Sequence, residues 1–174
     1  SDFLIYKDLL EPEVIVFYKT LKTIINAINI LEIRGRDSLG VILQISLKNT
    51  ETNEEWFQEA RRQGQHFAKI TNNVISISCI YKNFNRIGTL GENAEKILEQ
   101  LKDDSFVLRL IESGAFEEIA IIAHTRWASV GPVNEENTHP LVNVTDPVQG
   151  VATIFSMMNG DIYNYKSAES WVPV

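Results

Sequence analysis

Apolar positions recur at three- and four-residue spacing from Val14 through Phe17, Leu21, Ile24 and Ile28 to Leu31. That period predicts a helix with one face in a core. Glu11-Pro12-Glu13 opens it: proline fits the first turn, where no backbone donor is needed, and acid suits the positive end of the dipole. Arg34-Gly35-Arg36-Asp37 breaks it. The period then shortens to two. Val41, Leu43, Ile45 and Leu47 alternate with Ile42, Gln44 and Ser46 and predict a strand. Asn73 to Tyr81 alternates in the same way, with Cys79 inside it as a small core hydrophobe. Between these runs the chain is polar and charged, with a helical middle predicted at Trp56 to Ala68. This stretch reads as a surface excursion, with Trp56-Phe57 packing on the core and His66 at the surface. Arg86-Ile87-Gly88-Thr89-Leu90-Gly91 reads as a turn. Asn93 to Lys102 then predicts a helix, and Phe106 to Ser113 a second one stopped by Gly114. Glu118 to His124 and Val151 to Met158 predict two further strands. The order fits a layered α+β domain.

Two strand ends carry chemistry. Ile121-Ile122-Ala123 runs into His124-Thr125-Arg126-Trp127-Ala128-Ser129. A rigid strand fixes the groups that the following loop exposes. An arginine there offers a planar, permanently charged fork for a carboxylate; a surface Arg beside a core Trp is the plainer alternative. The run from Val151 to Met158 ends in Asn159-Gly160-Asp161. An Asn amide and a Gly N–H converging at a strand end suit an oxyanion. Asn-Gly is equally a tight hairpin turn.

Composition narrows the field. The chain has 174 residues and is 44% hydrophobic and 22% charged, enough for one domain with a core. A net charge of −7 argues against a nucleic-acid partner, which calls for a basic face. No run approaches the eighteen or so consecutive apolar residues of a membrane span. A single cysteine suits a reducing, cytoplasmic compartment. His66, His124 and His139 show no spacing that suggests zinc, so neither metal nor cofactor is expected.

Four segments together resemble class II glutamine amidotransferase domains. Arg34-Gly35-Arg36-Asp37-Ser38-Leu39-Gly40 is similar to the family's RGxDSxG motif, and His124-Thr125-Arg126-Trp127-Ala128 to HTRWA. Asn134-Glu135-Glu136-Asn137-Thr138-His139-Pro140 is similar to NExNxHP, and Asn159-Gly160-Asp161-Ile162-Tyr163-Asn164-Tyr165 to NGxIxNY. They occur in the family's order. Their forms resemble the glucosamine-6-phosphate synthase branch most, from about Glu13 to Tyr165. The resemblance implies an N-terminal-nucleophile hydrolase fold, a four-layer αββα sandwich, truncated here at one or both ends. Residues 1–174 are then expected to form one amidotransferase domain, or a fragment of one, with a family-atypical insertion around 48–92. It implies hydrolysis of the glutamine side-chain amide, with ammonia passed to a synthase or sugar-phosphate isomerase module in the same or a partner chain, as in amino-sugar synthesis. In that reading Arg126 grips the α-carboxylate, and Asn159 and the Gly160 N–H form the oxyanion hole. Trp127 and Ser129 shape the pocket, and His124 and Asp161 complete the substrate-binding set.

The chain departs from the family in stated places. The family nucleophile is an N-terminal cysteine whose α-amine serves as base, whereas this chain begins Ser1-Asp2-Phe3. Ser1 is a candidate substitute. The expectation is a piece of a longer protein. Val130 and Met158 stand where this branch carries histidines. Two alternatives accompany the glutaminase reading: an inactive homologue that binds glutamine or a partner protein, and an N-terminal serine amidase.

Overall fold

A computed structural model describes residues 11–63, 66–84, 89–128, 131–146, 151–160, 163–164 and 167. Helix α1 spans Pro12–Leu31, with Pro12 in its first turn as expected. Val14, Phe17, Ile25 and Ile28 are buried, but Leu31 is 51% exposed. The helix tightens into a 3-10 turn at Glu32–Arg34. The Glu32 carboxylate is fully buried and accepts from the Gly91 N–H at 2.6 Å. Gly91 is the N-cap of α3, so an acid at the end of one helix meets the positive end of another. By length and composition alone Pro12–Arg34 is apolar enough to cross a membrane, although Lys19 and Lys22 interrupt its apolar run.

Strands β1 (Ser38–Lys48), β2 (His66–Thr71), β3 (Val74–Asn83) and β4 (Glu118–Arg126) form one antiparallel sheet in the order β2-β3-β1-β4. Helices α1, α2 (Glu51–Gln63), α3 (Glu92–Asp103) and α4 (Ser105–Glu112) cover one face. Leu39, Val41, Leu43, Ile45 and Leu47 of β1 point into that helical core, as their alternation requires. Cys79 is fully buried among them. On the opposite face lies a two-stranded sheet of β5 (Leu141–Asp146) and β6 (Val151–Ser156), with Phe155 against Phe67. The architecture is α+β, with helices, a four-stranded sheet and a two-stranded sheet in successive layers.

Several expectations change. The helix expected at Trp56–Ala68 begins earlier and ends at Gln63, and Phe67 and Ala68 belong to β2. Residues 48–73 are therefore no surface excursion: they supply β2 to the main sheet, and Ala60 of α2 is fully buried. Trp56 does pack on the core, edge to face with Phe106 at 5.9 Å. His66 is buried rather than at the surface, 3.2 Å from Asp104 Oδ2 and stacked on Phe106. The β4 strand is an edge of the sheet among the described residues and is half-exposed, not buried. It extends two residues further than expected, so Arg126 lies in the strand. Of the turn expected at 86–91, only 89–91 fall within the described residues.

Asp104 joins the two short helices. It follows α3, caps α4 by accepting from the Val107 N–H at 3.0 Å, and accepts from the Tyr81 hydroxyl at 2.9 Å. Burial pushes its carboxyl upward, but the hydrogen bonds from His66, Val107 and Tyr81 outweigh that and hold it below the ordinary carboxylate value.

Candidate functional site

The motif segments interlock at one end of the main sheet. Gly35 has an extended backbone that any residue adopts, so its smallness matters for another reason. A Cβ there would lie 2.7 Å from the Arg126 carbonyl carbon and 2.9 Å from the Trp127 nitrogen. Next to it, the Asp37 N–H donates to the Arg126 carbonyl at 3.1 Å. The Asp37 carboxylate accepts from the Ala128 N–H at 2.6 Å. Asp37 thus straps the end of β4. The sequence also admits a plain structural ion pair between Arg34 and Asp37; it is not among the ion pairs of the described residues, and Arg34 is exposed.

Gly40 sets the next contact. In register it lies between Lys82 of β3 and His124 of β4. Having no side chain, it leaves a gap in that row, and the His139-Pro140 peptide, which is cis, fills it. A Cβ on Gly40 would stand 1.8 Å from the His139 carbonyl oxygen. His139 therefore enters the space flanked by Lys82 and His124. Its ring meets the His124 ring edge-on, with centroids 4.6 Å apart. Arg126 follows two positions after His124, hence on the same face.

The loop that carries His139 braces itself. Asn134 Oδ1 accepts from the Asn137 N–H at 2.9 Å, and the Asn134 carbonyl accepts from the Thr138 hydroxyl at 2.7 Å. The Asn137 amide donates to the Pro132 carbonyl. Lys82 Nζ donates to the Glu135 carbonyl at 3.1 Å and ties the loop to β3.

Four basic side chains, Lys82, His124, Arg126 and His139, so share one sheet end. Burial holds the His124 imidazole below its ordinary value. The Arg126 charge acts the same way, against a hydrogen bond with the Met158 backbone. Burial likewise lowers His139, and the charges of His124, Arg126 and Lys82 add to the effect. Both imidazoles are therefore neutral near pH 7, and each keeps a buried Nδ1 without a hydrogen-bond partner among the described residues. Such a setting favours an anionic or polar ligand beside Arg126. Among the described residues no third His, Cys, Asp or Glu joins the pair as a metal-ligand group.

The structure brings together His124, Arg126, the RGxDSxG glycines, the NExNxHP loop and Met158. The Met158 bond to His124 makes the Asn159-Gly160 segment leave from this cluster. Asn159 and Gly160 are exposed, and Gly160 has φ +133, a conformation that favours glycine. Among the described residues, Asn159-Gly160 follows β6 without joining it to another strand, so the hairpin alternative finds no second strand there. Trp127, expected to shape the pocket, is 69% exposed and turned outward. Ser1, Ser129, Val130 and Asp161 lie outside the described residues. Lys82 and His139 escaped the sequence reading as site residues, because only the pairing across Gly40 brings them to His124. Compared with known proteins, the chain matches no family model, no curated protein and no solved structure.

Proposed function

We propose that the chain is the glutaminase domain of a class II glutamine amidotransferase, built on the four-layer αββα sandwich of N-terminal-nucleophile hydrolases. The observation that carries this reading is the way two motifs brace the arginine of a third. Gly35 and Asp37 grip the backbone at Arg126, and Gly40 seats the loop of His139 beside it. Three short motifs related only by chance would have no reason to meet in this manner. The helix, sheet, sheet succession is compatible with the first three layers of such a sandwich.

In this reading the Arg126 guanidinium takes the substrate α-carboxylate in a bidentate pair. Asp37 is a positioning residue that fixes the backbone on which Arg126 stands. The nucleophile is a cysteine thiolate at the mature N-terminus of the native protein, its proton taken by the α-amine. The thiolate attacks the side-chain carbonyl carbon of glutamine. The Asn159 amide and Gly160 N–H hold the resulting oxyanion. Collapse expels ammonia, which receives its proton from the α-ammonium. Water then cleaves the thioester to glutamate and free thiol. Cys79 is fully buried in the helical core, and burial raises its thiol well above the ordinary value, so it takes no part. Ammonia passes to a synthase or sugar-phosphate isomerase module, and the domain works in the cytoplasm.

The test is to treat the native full-length protein with a glutamine-mimicking electrophile and map the label by mass spectrometry. A label on an N-terminal cysteine is expected. Absence of label with glutamine binding intact would leave a non-catalytic glutamine binder, and a label on Ser1 a serine amidase. Calorimetry with glutamine reads the site itself. Arg126→Ala removes the charged partner of the carboxylate and weakens binding by about 2–5 kcal/mol; unchanged affinity would remove Arg126 from the site.

A further inference from the structure

A second cleft lies between the two sheets. In register, Gln44 of β1 faces Ser78 of β3, and Ser78 faces Phe67 of β2. In the next row on the same face Ser46, Ser76 and Lys69 align. Phe155 of β6 meets the Phe67 ring edge-on at 6.3 Å and roofs these rows. The cavity between them has a volume of about 110 Å³ and is lined by Gln44, Phe67, Lys69, Ser76, Ser78 and Phe155. Gln44 is four residues along β1 from Gly40, ~13 Å at strand spacing, so this cleft is separate from the Arg126 cluster.

Its lining separates it from a packing defect. The small void under α1 is walled only by leucine, isoleucine and valine. Here the floor carries two hydroxyls, a carboxamide and an ammonium, on a face that a second sheet covers and where interdigitating side chains usually form a core. Lys69 is half-buried and pairs with no carboxylate among the described residues. A lysine that lines an otherwise uncharged polar cleft can pair its ammonium with a carboxylate bound there. Size limits the occupant: a cavity of ~150 Å³ takes a benzene ring, so this one takes about four to six heavy atoms. The phenyl walls favour a short alkyl chain over an inorganic anion.

We propose that this cleft binds a small aliphatic monocarboxylate. The Lys69 ammonium pairs with the carboxylate, the Ser76 and Ser78 hydroxyls and the Gln44 amide donate to its oxygens, and the alkyl chain lies between Phe67 and Phe155. The inference does not rest on the glutaminase reading and survives its failure.

Titration of the isotope-labelled protein with acetate, propionate, butyrate and the uncharged propionamide tests it by amide chemical shifts. Saturable shifts at Lys69, Ser76 and Ser78 are expected with propionate, with Gly40 and Arg126 unmoved and propionamide at least ten-fold weaker. Lys69→Met weakens propionate ten-fold or more, and Lys69→Arg restores it. Lys69 sits on an edge strand, so these changes spare the fold. Phe155→Leu serves as a second variant and weakens butyrate more than acetate. Shifts that never saturate, an equal response to propionamide, or wild-type affinity in Lys69→Met would each overturn the assignment of a carboxylate to Lys69.

Discussion

Gly40 illustrates how much a single missing side chain sets. The obstacle to any Cβ at that position is the His139 carbonyl group and the Pro140 ring, neither of which has a rotamer to move into. Gly40→Ala therefore has to displace the loop or bend β1. We expect a loss of about 2–3 kcal/mol, the upper part of the range for overpacking, read from the urea midpoint. Under the proposed function glutamine affinity is expected to fall with it, because the displaced loop is the one beside Arg126. A variant as stable as wild type would mean that the loop is not seated on Gly40. Asp37 acts differently. Its two hydrogen bonds hold the backbone at the end of β4, so its influence on Arg126 passes through geometry rather than charge.

Among the elements, the joint between α3 and α4 holds the helical layer to the far edge of the sheet. One carboxylate caps α4, receives the Tyr81 hydroxyl from β3 and stands beside His66 of β2. Asp104→Ala removes the cap and leaves a buried hydroxyl without its acceptor. Cap loss costs about 0.5–2 kcal/mol and the orphaned group about 1–3 kcal/mol. A combined destabilisation of about 2–4 kcal/mol is expected by chemical denaturation. Asp104→Asn keeps an oxygen for the cap and is expected to lose less. Equal losses for the two variants would assign the effect to charge rather than to the cap. At this scale the helices with clear apolar periods were legible in sequence: α1, α3 and α4 lie within a residue or two of their predicted bounds. The α2/β2 boundary was not, because Phe67-Ala68 continues an apolar pattern that a helix and a strand both satisfy. Pairing with β3 decides it. Strand β5 escaped notice because its partner is a single neighbouring strand and its own alternation is short.

Across the whole molecule the titrating groups give stability a shape in pH. The His124 and His139 imidazoles are held below the ordinary value of 6.5, so the unfolded chain binds protons that the folded chain refuses. Their contribution is complete above pH 6.5 and is lost as pH falls below it. Asp104 is held below 3.8, so its contribution is present above that value and is lost as pH falls further. Thermal melts are expected to give a flat Tm between pH 7 and 8, a decline below about pH 6.5 and a second decline in the carboxylate range. His139→Gln is expected to flatten the first decline and leave the second. A flat profile from pH 5 to 8 in the unaltered protein would contradict the burial of this pair. The net charge of −7 makes the local gathering of Lys82 and Arg126 at one sheet end more notable, since the protein as a whole repels the anions that this end favours.

The sequence by itself determined the α+β class, the faces of α1, β1, α3 and α4, the core placement of Cys79, and the motifs that surround Arg126. Each of these follows from local period, from turn chemistry or from a short run of residues, which need no knowledge of distant partners. Tertiary structure alone decided that His66–Thr71 joins the sheet as β2, that His66 is buried against Asp104, and that Trp127 faces outward. It also decided that Lys82 and His139 join His124 across Gly40. Those outcomes depend on strand register and on contacts between segments far apart in the chain. A shift of one residue in either pairing would send the same side chains to the opposite face.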